Sequence, residues 1–194
     1  MNNPDFDPAG LVHSIKQVNG PAPVHLWNPP FCGDIDMRIG RDGTWYYQDS
    51  PINRPAMVKL FSSVLRLDPD GHYYLVTPVE KVRIRVDDCP FVAQLLEVEG
   101  EGESQQLCFI TNTDERVLAS AEHPITVAAD PDTGAPHPRV LCRANLQALI
   151  ARNVFYQLAE LAVPRPGTAT DRHNGHSEIG VWSAGTYFSL GHLA

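Results

Sequence analysis

Gly33-Asp34-Ile35-Asp36-Met37-Arg38-Ile39, followed by Arg41-Asp42-Gly43 and Thr44-Trp45-Tyr46-Tyr47-Gln48, decides the fold class. Ile35, Met37 and Ile39 alternate with Asp34, Asp36 and Arg38. Successive side chains of a strand point to opposite faces, so this period predicts a strand with one apolar and one charged face. Asp42-Gly43 is a turn signal, because glycine accepts the positive φ that a tight hairpin requires. The aromatic run after it returns as a second strand.

Working outward, Leu11, Val12 and Ile15 predict a short helix within residues 8–18, and Pro21, Pro23, Pro29 and Pro30 force an extended entry to the first strand. On the other side, Asn53 as a cap and Pro55 in the first turn start a helix whose stripe is Met57, Leu60, Phe61, Val64 and Leu65. Asp68-Pro69-Asp70-Gly71 ends it, and strands are predicted over 72–77 and 80–86. Short strands then recur at 91–99, 105–111, 116–119, 124–128 and 138–142. A long amphipathic helix is predicted from Asn145 to Ala162, with Leu146, Leu149, Ile150, Val154, Leu158 and Leu161 on one face, stopped by Pro164 and Pro166. Gly180 to Phe188 reads as a terminal strand or hairpin. Strands before a helix and strand-like sequence after it occur in both halves, and five strands closed by one helix suggest a small barrel or sandwich.

Composition agrees. The chain has 194 residues, of which 43% are hydrophobic and 20% charged, the balance of an ordinary globular protein. Its 14 glycines and 17 prolines suit many short strands and turns better than a helical bundle. No apolar run approaches the roughly 18 residues of a membrane span, and Met1 to Asp7 has the form of no secretory signal. The expected location is the cytoplasm. Cys32, Cys89, Cys108 and Cys142 stand far apart among apolar neighbours, as reduced, buried cysteines do.

A net charge of −8 excludes general binding of duplex nucleic acid and of anionic membrane surfaces. Between Asp34 and Arg85, however, cations and anions nearly balance. Three cations, Lys81, Arg83 and Arg85, alternate with Val82, Ile84 and Val86 on one strand. Such a stripe grips a phosphate or carboxylate, or else it is a solvated outer face. The 12 arginines against 3 lysines favour bidentate recognition. Asp34 and Asp36 share a strand face and suit either a metal-dependent hydrolase or salt bridges to a neighbouring strand. His173 and His176, flanked by acids, have the spacing of metal ligands inside a loop-like stretch. Phosphate-binding glycine loops, a nucleophile elbow and a zinc-protease helix are all missing, so no cofactor is expected.

Two stretches carry a family resemblance. The first is Pro30-Phe31-Cys32-Gly33-Asp34-Ile35-Asp36-Met37-Arg38-Ile39, running on through Arg41-Asp42-Gly43-Thr44-Trp45, Ser50-Pro51-Ile52, Leu60-Phe61 and Tyr74-Leu75-Val76-Thr77-Pro78-Val79-Glu80-Lys81-Val82. The second is Gly180-Val181-Trp182-Ser183-Ala184-Gly185. Together, over roughly 25–190, the chain resembles the bacterial family of domains of unknown function numbered 1285. The resemblance implies two small packed α+β units related by duplication, the second pleckstrin-homology-like, and a site between them for a nucleotide-like molecule in signalling. The units are placed at 1–84 and 85–194. Arg38, Arg54, Lys59, Lys81 and Arg83 are the expected cations for a small anionic ligand, with Trp45 and Trp182 to stack on a base. Ligand sensing without catalysis is preferred; a hydrolase using Asp34 and Asp36, or a protein-interaction module, is the alternative.

Overall fold

Ile35, Met37 and Ile39 are buried, while Asp34, Asp36 and Arg38 between them stay half-exposed, so the alternation that marks the first strand is also its orientation. The computed structural model describes Gly10, Ile15 and residues 22–130, 133–165 and 177–193. They fall into two compact units that divide between Pro90 and Phe91, beyond the expected boundary at 84 and 85. The later division follows from the last strand of the first unit, which runs to Val86 and is continued by the Asp87 N–H donating to the Ile39 carbonyl at 3.0 Å.

The first unit is one sheet and one helix. Strands β1 (Phe31–Ile39), β2 (Trp45–Tyr47) and β3 (Ser50–Pro51) form a meander, helix α1 (Pro55–Ser63) crosses over, and β4 (Leu65–Leu67), β5 (Tyr73–Val76) and β6 (Lys81–Val86) form a second meander. The spatial order is β3-β2-β1-β6-β5-β4, with β1 and β6 parallel and the other neighbours antiparallel. The expected hairpin is present. Gly43 takes φ 80°, and its N–H donates to the Gly40 carbonyl at 2.9 Å. The Asp42 carboxylate accepts from the Thr44 N–H and hydroxyl at 3.0 and 2.8 Å, and these bonds hold its carboxyl below the usual carboxylate range.

Helix α1 starts one residue later than expected. Arg54, extended and without a capping side-chain bond, holds the N-cap position in place of Asn53, and Pro55 supplies the preset φ of the first turn. The helix is short because Leu65, read as part of its stripe, is the first residue of β4. Phe61 is fully buried and stacks on Trp45, centroids 6.1 Å apart. Trp45 lies opposite Ile39 in the ladder, so α1 covers the apolar face of the sheet and leaves the charged face on the other side.

The second unit repeats the strand path. It contains β7 (Phe91–Glu99), β8 (Gln106–Thr111), β9 (Arg116–Leu118), β10 (Ile125–Ala129), β11 (Pro136–Arg143) and β12 (Leu146–Ile150). They lie in the order β10-β11-β12-β7-β8-β9, with β12 parallel to β7. In both units the third strand of the second meander pairs in parallel with the first strand of the first. The chain is thus a duplicated α+β protein. The helix is what differs: α2 (Arg152–Glu160) follows the sixth strand instead of linking the two meanders.

The expected helix from Asn145 to Ala162 is corrected here, because its first third is strand. Ala144, at φ 47°, turns the chain directly from β11 into β12, and Leu146, Ala148 and Ile150 are buried while Gln147 and Leu149 are half-exposed. Pairing with Phe91, Val92 and Ala93 of β7 selects this period of two. Only Val154 and Leu158 of the expected stripe are buried on α2.

Beyond α2, β13 (Val163–Pro164), β14 (Ser177–Ser183) and β15 (Thr186–Leu193) form a three-stranded sheet. The terminal hairpin turns at Ala184-Gly185, both at positive φ. Its tip is fastened to the six-stranded sheet by Ser183, whose buried hydroxyl accepts the Leu107 N–H at 2.9 Å and donates to the Ala119 carbonyl at 2.7 Å. Gly180 is required at its position, since a Cβ there would meet the Phe188 carbonyl oxygen at 2.1 Å. Gly10 and Ile15 are helical, and the rest of the expected 8–18 helix lies outside the described residues. Cys89 and Cys142 are buried, Cys32 and Cys108 half-buried, and none of the four is joined in a disulfide. Among the described residues no helix is long and apolar enough to cross a membrane.

Candidate functional site

The parallel pair β1/β6 brings the two charged stripes of the sequence together on one face. Asp34 stands opposite Arg83 in the ladder, and the guanidinium grips the carboxylate through two bonds, Nε to Oδ1 at 2.7 Å and Nη2 to Oδ2 at 2.5 Å. That hydrogen bonding holds the Asp34 carboxyl below its ordinary range, although partial burial opposes it. Arg38 Nη1 donates to Asp87 at 2.6 Å and stacks 4.4 Å above the Tyr46 ring. Between these two closed pairs lies a looser one, in which Arg85 stands 3.5 Å from Asp36, outside the usual 2.7–3.2 Å of an N–H···O bond. The Arg85 side chain is 67% exposed, against 37% for Arg83 and 28% for Arg38.

A break in the ladder coincides with the loose pair. From the Asp34–Arg83 match to the Arg38–Arg85 match, β1 advances four residues while β6 advances two. The extra residues bulge around Asp36, whose carbonyl turns to accept the Gln48 N–H at 2.9 Å. Bulges of this kind re-aim side chains and concentrate beside functional sites. A cleft of about 700 Å³ opens here, lined by residues 34–36, 71–73 and 83–87. Its ionic groups are Asp34, Asp36, Asp87, Arg83 and Arg85, and His72 adds an imidazole to its edge.

The expected site residues do not converge. Lys81 belongs to a neighbouring cavity of about 450 Å³, with Arg66, Asp68 and Trp27. There its ammonium is 3.1 Å from Asp68 and 4.5 Å above the Tyr74 ring. Arg66 ties Asp68 at 2.5 Å and donates to the Val24 and Trp27 carbonyls, both at 2.8 Å. Burial pushes the Asp68 carboxyl up, yet the bonds from Arg66 and Lys81 outweigh it and leave it lowered. Arg54 and Lys59 are exposed on α1, across the sheet from the cleft. Trp45 is corrected as a stacking residue: it is 1% exposed and its indole N–H has no acceptor among the described residues, so no ligand base reaches it. Trp182 lies in the second unit, edge-on to Tyr187 at 5.4 Å. Arg38 is engaged with Asp87. His173 and His176 lie outside the described residues.

Of the two roles expected for the Asp34/Asp36 pair, the fold shows salt bridges to a neighbouring strand. Each carboxylate faces an arginine of β6, and among the described residues no three His, Cys, Asp or Glu side chains group as a metal site. Arg85 completes the cleft with His72, Tyr73 and Asp87, and the last three are not among the residues expected from the sequence. Arg85 was accessible to sequence reasoning, as the third cation of the alternating stripe; the others come from turns and strand ends, which carry no period.

Residues 22–89 match the family model described as "Domain of unknown function (DUF1285), N-terminal domain". Residues 90–190 match "Protein of unknown function (DUF1285), C-terminal domain". A crystal structure of a DUF1285 family protein from Silicibacter pomeroyi DSS-3 is similar, with 52% identity, a TM-score of 0.83, and coverage of 95% of this chain and 96% of that one. A DUF1285 family protein from Shewanella baltica OS155 aligns at 24% identity over 63% of this chain and 89% of that one, with a TM-score of 0.47. No curated protein matches the chain.

Proposed function

This chain belongs to the DUF1285 family, and we propose that its first unit binds a small molecule through an anionic group, without transforming it. The observation that carries the reading is Arg85: a side chain two-thirds exposed in a cleft of about 700 Å³, 3.5 Å from a carboxylate that does not close on it. Pockets for small molecules fall in the range of roughly 300–1,000 Å³. The planar fork of arginine suits a carboxylate or a phosphate. Exposed ion pairs are weak, so a ligand that displaces Asp36 from Arg85 gives up little. Asp34 and Arg83 are spent on each other and frame the site.

A nucleotide-like ligand is one member of this class, with His72 as the ring for its base. In this reading the protein is a cytoplasmic sensor in signal transduction, and the C-terminal unit, pleckstrin-homology-like by family resemblance, is the half offered to a protein partner. The test is a thermal-shift and calorimetric screen of the full chain against small carboxylates, inorganic phosphate, nucleotides and cyclic dinucleotides. At least one of them is expected to raise the melting temperature with concentration, by mass action on the folded state. Arg85→Gln should abolish the effect and Arg54→Gln should preserve it. A screen without any stabilising compound, or stabilisation that survives Arg85→Gln, overturns the reading.

A further inference from the structure

Resting on that reading, we infer that the cleft takes a zwitterion, with the carboxylate of a free α-amino acid on Arg85 and its ammonium on Asp36. Any group bound by the Arg85 guanidinium also lies beside the Asp36 carboxylate, since the two are 3.5 Å apart. A plain anion there meets a like charge, which offsets part of what the arginine supplies. The wider lining supplies no further cation to offset this, since Arg83 is closed on Asp34 and Asp87 is closed on Arg38. A polyanion such as a nucleotide phosphate therefore finds Arg85 alone and meets Asp36 beside it, whereas a ligand that carries its own cation does not.

An α-amino acid inverts the problem. Its ammonium and carboxylate sit on a single carbon, so the two charges are separated by about the gap between Asp36 and Arg85. The carboxylate accepts two N–H bonds from the arginine fork, and the ammonium donates to Asp36. Both protein charges stay compensated, and the intramolecular pair that is split was not closed in the first place. Neighbouring pairs do not compete, because Asp34–Arg83 is bidentate at 2.5–2.7 Å and Arg38–Asp87 is closed at 2.6 Å. The bulge in β1 sets the middle pair apart: Asp36 has no partner residue in the β6 register, and its carbonyl is bonded to Gln48, in the turn between β2 and β3. The remaining length of the cleft, toward His72 and Tyr73, is left for the amino-acid side chain.

The full chain is titrated calorimetrically with the twenty standard L-amino acids and, for those that bind, with their N-acetyl and carboxamide forms; inorganic phosphate and nucleoside monophosphates are run alongside. At least one amino acid should bind, and blocking either its ammonium or its carboxylate should weaken it tenfold or more. Asp36→Asn should cost a similar factor toward the amino acid, with Asp36→Ser as the second variant should the first fold poorly; Arg54→Gln should cost nothing. Equal binding of the N-acetyl form overturns the inference. Arg85-dependent binding of phosphate or a nucleotide with no amino acid bound also overturns it, while leaving the binding function in place. Absence of binding by every probe overturns both.

Discussion

Replacing Leu158 by alanine tests the account of the second unit at the place where strand and helix were hardest to tell apart. Leu158 is fully buried on α2, one turn after the equally buried Val154, and the helix packs on β7. The substitution removes three carbons from that contact, a transfer loss of about 2.4 kcal/mol at ~0.8 kcal/mol each. β7 is a central strand paired on both sides, so it cannot move in to fill the space, and a cavity contribution of about 1–2 kcal/mol is added. The expected loss is therefore about 3–4 kcal/mol. Ile150→Ala, at a buried position of β12, should cost about as much, and Leu149→Ala, half-exposed on the other face, clearly less. Tyr156→Ala, 59% exposed on the same helix, should stay within about 0.5 kcal/mol of wild type. Urea denaturation followed by circular dichroism gives each value from the midpoint at constant slope, fitted to the transition that moves, since two units can unfold separately. A loss below about 1 kcal/mol for Leu158→Ala would refute the packing. Equal losses at Leu149 and Ile150 would restore one continuous helix from Asn145, where both residues share a face.

Gly43→Val should lower stability by about 1–3 kcal/mol, because a β-branched residue is forced to φ 80° in a buried turn; an unchanged thermal melt would contradict the hairpin. Tyr74, whose phenol is pushed up to about 12 by burial and then by its hydrogen bond to Asp70, keeps its proton in the folded state after the unfolded chain has lost it near pH 10. Its contribution is thus complete below pH 10 and disappears as the pH rises through 12; Tyr74→Phe should flatten that alkaline decline, and an identical decline in both proteins would exclude the assignment.

Much of the first unit was legible because its signals are local. Alternation over 33–39 placed Ile35, Met37 and Ile39 inward, and Asp42-Gly43 turned the chain, both consequences of backbone geometry within a few residues. The helix stripe around Phe61 was read correctly apart from its cap and its last residue. The segment 146–150 was not, since Leu146, Leu149 and Ile150 satisfy a helical period as well as Leu146, Ala148 and Ile150 satisfy a strand period. Apolar runs this short are ambiguous by themselves, and the partner that decides between them, β7, lies more than fifty residues earlier in the chain.

The candidate site divides along the same line. The sequence alone determined that Asp34, Asp36 and Arg38 share one face of a strand and that Lys81, Arg83 and Arg85 share one face of another, because period two is a property of the strand itself. Only the tertiary structure decided that these two strands are parallel neighbours. That pairing spends Asp34 on Arg83 and Arg38 on Asp87, while Lys81 goes to Asp68 in a different cavity and the packing of Phe61 of α1 on the sheet takes Trp45 into the core. It also leaves Arg85 and Asp36 apart at the bulge. Which charge meets which is a matter of register between segments some fifty residues apart, and no local preference of the chain encodes it.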